Sequence, residues 1–214
     1  GDIVLRAFFG KFNADARLNT EQFRLDEDSI GLVKITASYN NETGEIPFTV
    51  KSANEGYNLY ATGSYNIKDS VDAPLYTNIR LENTKINILH RFIGDLFGDI
   101  TGIAKGNLKI SGNPNSPNLL GNISLRKAGM TVNYTKVHYT IDSAEVKFEN
   151  DGIDFGEFNI QDKYKNQATV KGKLFNKGFK NLAFDFDMNT RKLLLIDTKL
   201  KDNQQFYGTA IGAA

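Results

Sequence analysis

Two histidines, His90 and His138, are the residues of this 214-residue chain best suited to acid–base or metal chemistry. Imidazole titrates near neutral pH and ligates transition metals, but a metal needs further ligands at set spacings. His90 lies between Leu89 and Arg91, and His138 between Val137 and Tyr139, with no second ligand at metal spacing. Both read as surface or satisfied side chains, so no metal site is expected. Asp185 and Asp187 fall on one face of a strand, since side chains alternate with a period of two. A catalytic pair needs burial to tune its carboxylates. Here Leu182, Phe184, Phe186 and Met188 take the apolar face and leave the two acids on the solvated one. Gly102-x-x-x-Gly106 is followed by no Gly-Lys-Ser/Thr and does not build a phosphate loop. Asn41, Asn122 and Asn133 open Asn-x-Ser/Thr triplets, read here as chance. Cysteine is absent, which removes disulfides and thiolate chemistry. No catalytic residue and no cofactor are expected.

Bulk composition narrows the classes further. There are 26 Lys plus Arg against 25 Asp plus Glu, a net charge of +1, so no field of one sign draws nucleic acid. No apolar run approaches the ~18 residues of a membrane-spanning helix, and no signal peptide is visible. The 24 aromatic residues are 15 Phe and 9 Tyr, which suit pleated surfaces. The chain begins and ends abruptly and reads as one segment, 1–214, of a longer repeat-like protein.

The pattern that dominates is apolar alternation interrupted by glycine. Ala104, Gly106, Leu108 and Ile110 share one face of a strand, with Lys105, Asn107 and Lys109 on the other. After the turn Gly112-Asn-Pro-Asn-Ser-Pro117, Leu119, Gly121, Ile123 and Leu125 repeat it. Ala61-x-Gly63, Val170-x-Gly172-x-Leu174 and Gly208-x-Ala210 are further copies. Self-similarity at the level of single strands suggests a stacked, quasi-one-dimensional β structure. About fourteen strands with hairpin-length links are expected. The first spans residues 3–12, one runs through Met130–Ile141, and a bulge near Gly156 reconciles Ile153 and Phe155 with Phe158 and Ile160. Leu193–Ile196 is apolar without alternation, as where both faces are covered. Residues 86–97 depart from the strand pattern: Leu89, Ile93 and Leu96 recur at helical steps beside Phe92, which predicts an amphipathic helix of about three turns. It divides the chain into 1–85, the helix, and 98–214. Gly94 weakens it by about 1 kcal/mol relative to alanine, so it needs a surface to lie on. Unpaired sheet edges, and association through them, are expected at residues 1–18 or 204–211.

The ordered set Asp162, Asn166, Ala168, Gly172, Gly178-Phe179, Leu182, Phe184, Phe186, Asn189, Leu194, Thr198 and Phe206-Tyr207-Gly208-Thr209-Ala210 resembles the C-terminal domain of the TamB family. These are AsmA-like periplasmic proteins of Gram-negative envelopes. The helix at 86–97 and the stretch Gly106–Gly121 fit the earlier part of that domain. The resemblance implies an all-β, long curled antiparallel or mixed sheet forming an open, taco-shaped groove with an apolar interior. It implies a parent anchored in the inner membrane that pairs with an outer-membrane barrel of the BamA type. The implied function is passage of phospholipid acyl chains between membranes, with outer-membrane protein assembly as the alternative. On this reading the lipid path is lined by Ala104, Gly106, Leu108, Ile110, Leu119, Gly121, Ile123, Leu125, Val170, Gly172, Leu174, Leu182, Phe184, Phe186 and Met188. Leu89, Phe92, Ile93 and Leu96 either plug the groove mouth or cap a core. The inward glycines either leave room for acyl chains or relieve crowding in a filled interior.

Overall fold

The computed structural model describes residues 1–6, 12–25, 28–68, 74–177, 180–202, 204 and 207–214. Turn chemistry divides the chain into hairpins. Asn40 accepts the backbone N–H of Glu42 ahead of Gly44 (φ +73°), and Asn113 accepts that of Asn115. Such Asx turns and positive-φ glycines reverse the chain tightly. The strands between them are β1 (Asp2–Arg6), β2 (Asn13–Leu25), β3 (Asp28–Asn40), β4 (Glu45–Asn54), β5 (Tyr57–Asn66) and β6 (Leu75–Lys85). There follow β7 (Phe97–Asn113), β8 (Ser116–Val132), β9 (Val137–Glu149), β10 (Gly152–Gln161), β11 (Gln167–Lys177) and β12 (Lys180–Asn189). These twelve make one sheet in sequence order, every neighbouring pair antiparallel. It is not closed into a barrel: β1 and β12 are its two edges. β13 (Leu193–Thr198) and β14 (Gly208–Gly212) form a separate antiparallel pair.

The expected fold class holds at this level: nearly all β, one long antiparallel sheet, fourteen strands among the described residues. Several boundaries move. β1 ends at Arg6; residues 7–11 of the expected 3–12 strand lie outside the described part. The polar strand β2 had no clear alternation to announce it. The expected strand through Met130–Ile141 is instead the end of β8, a turn and the start of β9, because Lys136 takes φ +58° and its N–H bonds the carbonyl of Val132. The bulge near Gly156 is present, with Gly156 at φ +60° and the register shifting between Asp154 and Glu157.

The three-turn helix is replaced by a shorter device. Ile86–Leu89 is a 3-10 turn and His90–Ile93 a single α turn, and Phe97 already begins β7. No side chain caps the 3-10 turn, and Gly94 follows the α turn; its N–H bonds the carbonyl of His90 at 2.7 Å. Ile86 is buried, and Ile93 packs on the sheet's apolar face. The side chains of Leu89 and Phe92 lie outside the described part. The sheet runs through this break uninterrupted, because β6 pairs directly with β7.

Candidate functional site

Strand register turns the one-dimensional alternation into a two-dimensional surface. Taking partners across successive ladders, Leu18 meets Ile35, then Val50, Ala61, Ile79, Leu108, Gly121, Phe148, Ile153, Leu174 and finally the Phe184 position. This transverse row crosses β2 to β12 without a polar residue. A second row, Thr20, Val33, Ser52, Leu59, Leu81, Gly106, Ile123 and Val146, runs beside it. The alternate residues stand on the opposite face: Lys34, Lys51, Tyr60, Arg80, Asn107, Asn122 and Lys147 form the corresponding outer row. One face of the sheet is thus apolar along its width and the other polar. β8 exchanges its parity at Lys127 (φ +49°): Ile123 and Leu125 are buried before it, Ala128 after it.

The glycines on this face have a backbone reason. Gly106 (φ +153°) and Gly121 (φ +135°) take conformations that other residues rarely adopt. A Cβ on Gly106 would strike the Asn122 carbonyl oxygen, and one on Gly121 the Asn107 carbonyl oxygen. Each glycine stands opposite a large residue, Gly106 against Ile123 and Gly121 against Leu108. At Gly172 the room is taken by the Phe186 ring of the next strand, which also stacks at 5.8 Å on Phe155. These glycines therefore serve close strand approach and do not by themselves open a space.

Exposure varies along the first row: Leu18 is 46% exposed, Ala61 is buried, Ile79, Leu108 and Gly121 are half-buried, and Phe148, Ile153 and Leu174 are buried, Leu174 to 2%. β13 covers the apolar face near Tyr139: its Leu193 and Leu194 are 0% and 1% exposed, and Leu193 belongs to the large core cluster. Polar ties fix this cover. Asp162, buried in the β10–β11 turn, accepts the backbone N–H of Leu194 at 2.8 Å, those of Tyr164 and Asn166 at 2.8 and 3.0 Å, and the Asn166 amide at 2.8 Å. Burial alone would raise its pKa; the Asn166 amide and the three backbone donors outweigh burial and hold the carboxyl below its ordinary value. Tyr139 donates its hydroxyl to the Leu194 carbonyl at 2.7 Å, and burial, with the Asp162 charge nearby, pushes its pKa up to about 12. Lys163 pairs with Asp197, whose N–H bonds the Thr135 carbonyl at 2.8 Å. Thr190 and Ala214 exchange two backbone bonds, tying the chain end to the start of the hairpin.

The residues expected to line one interior divide accordingly. Ala104, Ile123, Leu125, Val170 and Leu174 are buried in the packed core. Gly106, Leu108, Ile110, Leu119, Gly121, Gly172 and Met188 are half-buried on the same face, and Phe186 near the β12 edge is 40% exposed. Leu182 and Phe184 occupy β12, and their side chains lie outside the described part. At the expected edge 204–211, Gly208–Ile211 pairs with β13 on one side and is the edge strand of the separate two-stranded sheet, while the far edge of the main sheet is β12. Asp162 was visible in the sequence only as a member of a resemblance; its role needs Leu194 beside it, thirty-two residues away. Among the described residues no group of three or more His, Cys, Asp and Glu side chains could hold a metal ion. No helix among them is long and apolar enough to cross a membrane. The chain matches no protein-family model, no curated protein and no solved structure.

Proposed function

We propose that the chain is a TamB-like envelope segment whose apolar sheet face binds acyl chains and lets them pass along the transverse row. The carrying observation is that row, eleven strands wide and free of polar side chains. Ten interstrand steps of about 4.8 Å make a track of roughly 48 Å. Each methylene removed from water contributes about 0.8 kcal/mol, so a chain is held without any polar contact. Similar contacts at every strand leave no deep well, and the lipid slides. The open, taco-like curl of the sheet belongs to this proposal, as do the periplasmic setting and an inner-membrane anchor outside this segment.

The half-exposed part of the row is where a ligand has access. Val50→Asp and Ile79→Asp place a charge on it, where desolvation costs several kcal/mol. Lys51→Ala and Asn78→Ala alter the opposite face of the same strands. In an assay of lipid passage or envelope integrity on the parent protein, with circular dichroism to verify folding, the first pair should fail and the second should work. Well-folded Asp variants that work normally overturn the conduit.

A second reading is favoured by β1. Ile3, Val4 and Leu5 are 74%, 49% and 50% exposed, so both faces of this edge strand are apolar and one ladder is unmet among the described strands. Such an edge suits an adaptor that meets a BamA-type barrel by strand addition. A barrel-strand peptide that protects the amides of residues 2–6 from exchange would favour it.

A further inference from the structure

We infer that the polar face of β5–β8 carries a binding site for an uncharged oligosaccharide, separate from the apolar face. A depression of about 540 Å³ lies there, in the size range of small-ligand sites, with Tyr60, Thr62, Asn78, Asn107, Leu120 and Asn122 in its lining. Three features of these side chains lack a structural return. Asn is disfavoured in strands, yet Asn78, Asn107 and Asn122 stand on three adjacent central strands, the last two directly paired in register. The amides of Asn107 and Asn122 have no hydrogen-bond partner among the described residues, so their donors and acceptors are presented to a ligand. Tyr60, 46% exposed, lies on the solvent face with no ring or cation neighbour among the described residues. Leu120 occupies an outward position where alternation asks for a polar residue. Local rules broken together, on a face that needs no packing, mark function better than stability.

The chemistry selects the ligand. A sugar ring presents an apolar C–H face to an aromatic or leucine side chain and hydroxyls or N-acetyl groups to amides at its rim. An anion is a poor fit. Arg80, also in the lining, is paired with Glu82, which Lys105 approaches as well at 3.7 Å. Lys109 lies 4.8 Å from the centre of the Tyr76 ring. The cations are thus partnered, and Asn78 bonds the Tyr76 hydroxyl, while the amides of Asn107 and Asn122 have no partner among the described residues.

The test is a titration of the 214-residue chain with chitotriose and cellotriose by calorimetry and saturation-transfer NMR, with inorganic phosphate as the anionic comparison. Saturable binding of at least one trisaccharide is expected. Tyr60→Ala should weaken it about tenfold, the loss expected when a stacking ring of ~1.4 kcal/mol is removed. Asn107→Ala combined with Asn122→Ala should do the same, and Lys173→Ala, elsewhere on the polar face, should change nothing. Thermal melts check that these exposed substitutions leave the fold intact, and binding of a fatty acid probe should be the same in all variants. No saturable trisaccharide binding, affinity indifferent to Tyr60 and the two amides, or a preference for phosphate overturns the inference.

Discussion

The two ends of one apolar row teach different things. In β3–β5 the row is carried by Ile35, Val50 and Ala61, with Ile35 and Val50 half-exposed and packed against the small cluster of Ile30, Val33 and Tyr57. In β9–β11 it is carried by Phe148, Ile153 and Leu174, all buried in the large core cluster. The strand chemistry is the same in both regions; what differs is the size of the core cluster each joins. Stability gathers where elements pack in depth on the sheet, and the half-exposed positions Ile35, Val50, Ile79 and Leu108 are the ones a ligand could reach. The packed end anchors, and the half-exposed end is available.

Truncation should break this symmetry most strongly. Leu174→Ala removes a side chain 2% exposed and should cost about 3 kcal/mol, as core Leu→Ala changes do. Val50→Ala, at a half-exposed position of the same row, should cost under about 1 kcal/mol. Chemical denaturation of the two variants measures both. Similar losses would show that the N-terminal half of the face is covered too.

The cover can also be released by its polar ties. Asp162→Ala leaves the Leu194 N–H without its partner and should cost about 2–3 kcal/mol, the scale of a buried charged hydrogen bond. pH should do the same gradually. The folded carboxyl titrates below its unfolded value of about 3.9, so its contribution is complete above that value and is lost as pH falls through the folded pKa. Hydrogen exchange should therefore show β13–β14 and β9–β11 losing protection below about pH 4, ahead of β3–β5. Simultaneous loss everywhere would deny Asp162 a local role.

Much of this arrangement was legible in the residues. Alternation placed Leu108, Ile123 and Leu125 on a common face, and the parity conflict at Ile153 and Phe158 located the bulge at Gly156. The unalternating run Leu193–Ile196 signalled coverage on both faces, and Leu193 and Leu194 have it. The docking of β13 on the sheet was not legible, because it rests on contacts such as Tyr139 to Leu194 that have no periodic trace. Helical spacing at 86–97 misled: an uncapped turn followed by Gly94 closes after one α turn, and Phe97 is drawn into the ladder with Val132. The polar strand β2 was hidden because Arg17, Asn19 and Glu21 leave little apolar alternation to read.

The edges offer a smaller effect. Ile3→Lys and Leu5→Lys should reduce any concentration-dependent association of the segment, since charged residues blunt free edges. Sedimentation at increasing concentration measures this, with little change expected in unfolding free energy because Ile3 and Leu5 are already exposed.

The most direct test of the conduit is to ask which residues touch lipid. A photo-crosslinking side chain is placed at Val50, Ile79 or Leu108 on the row, at Lys51, Asn78 or Lys109 on the opposite face, and at the buried Leu174. The parent protein is irradiated in the living envelope, and lipid adducts are read by mass spectrometry. The account predicts adducts at the first three positions, none at the opposite three, and few at Leu174. Equal labelling of the two faces, or none on the row in protein that is folded and present, would contradict it.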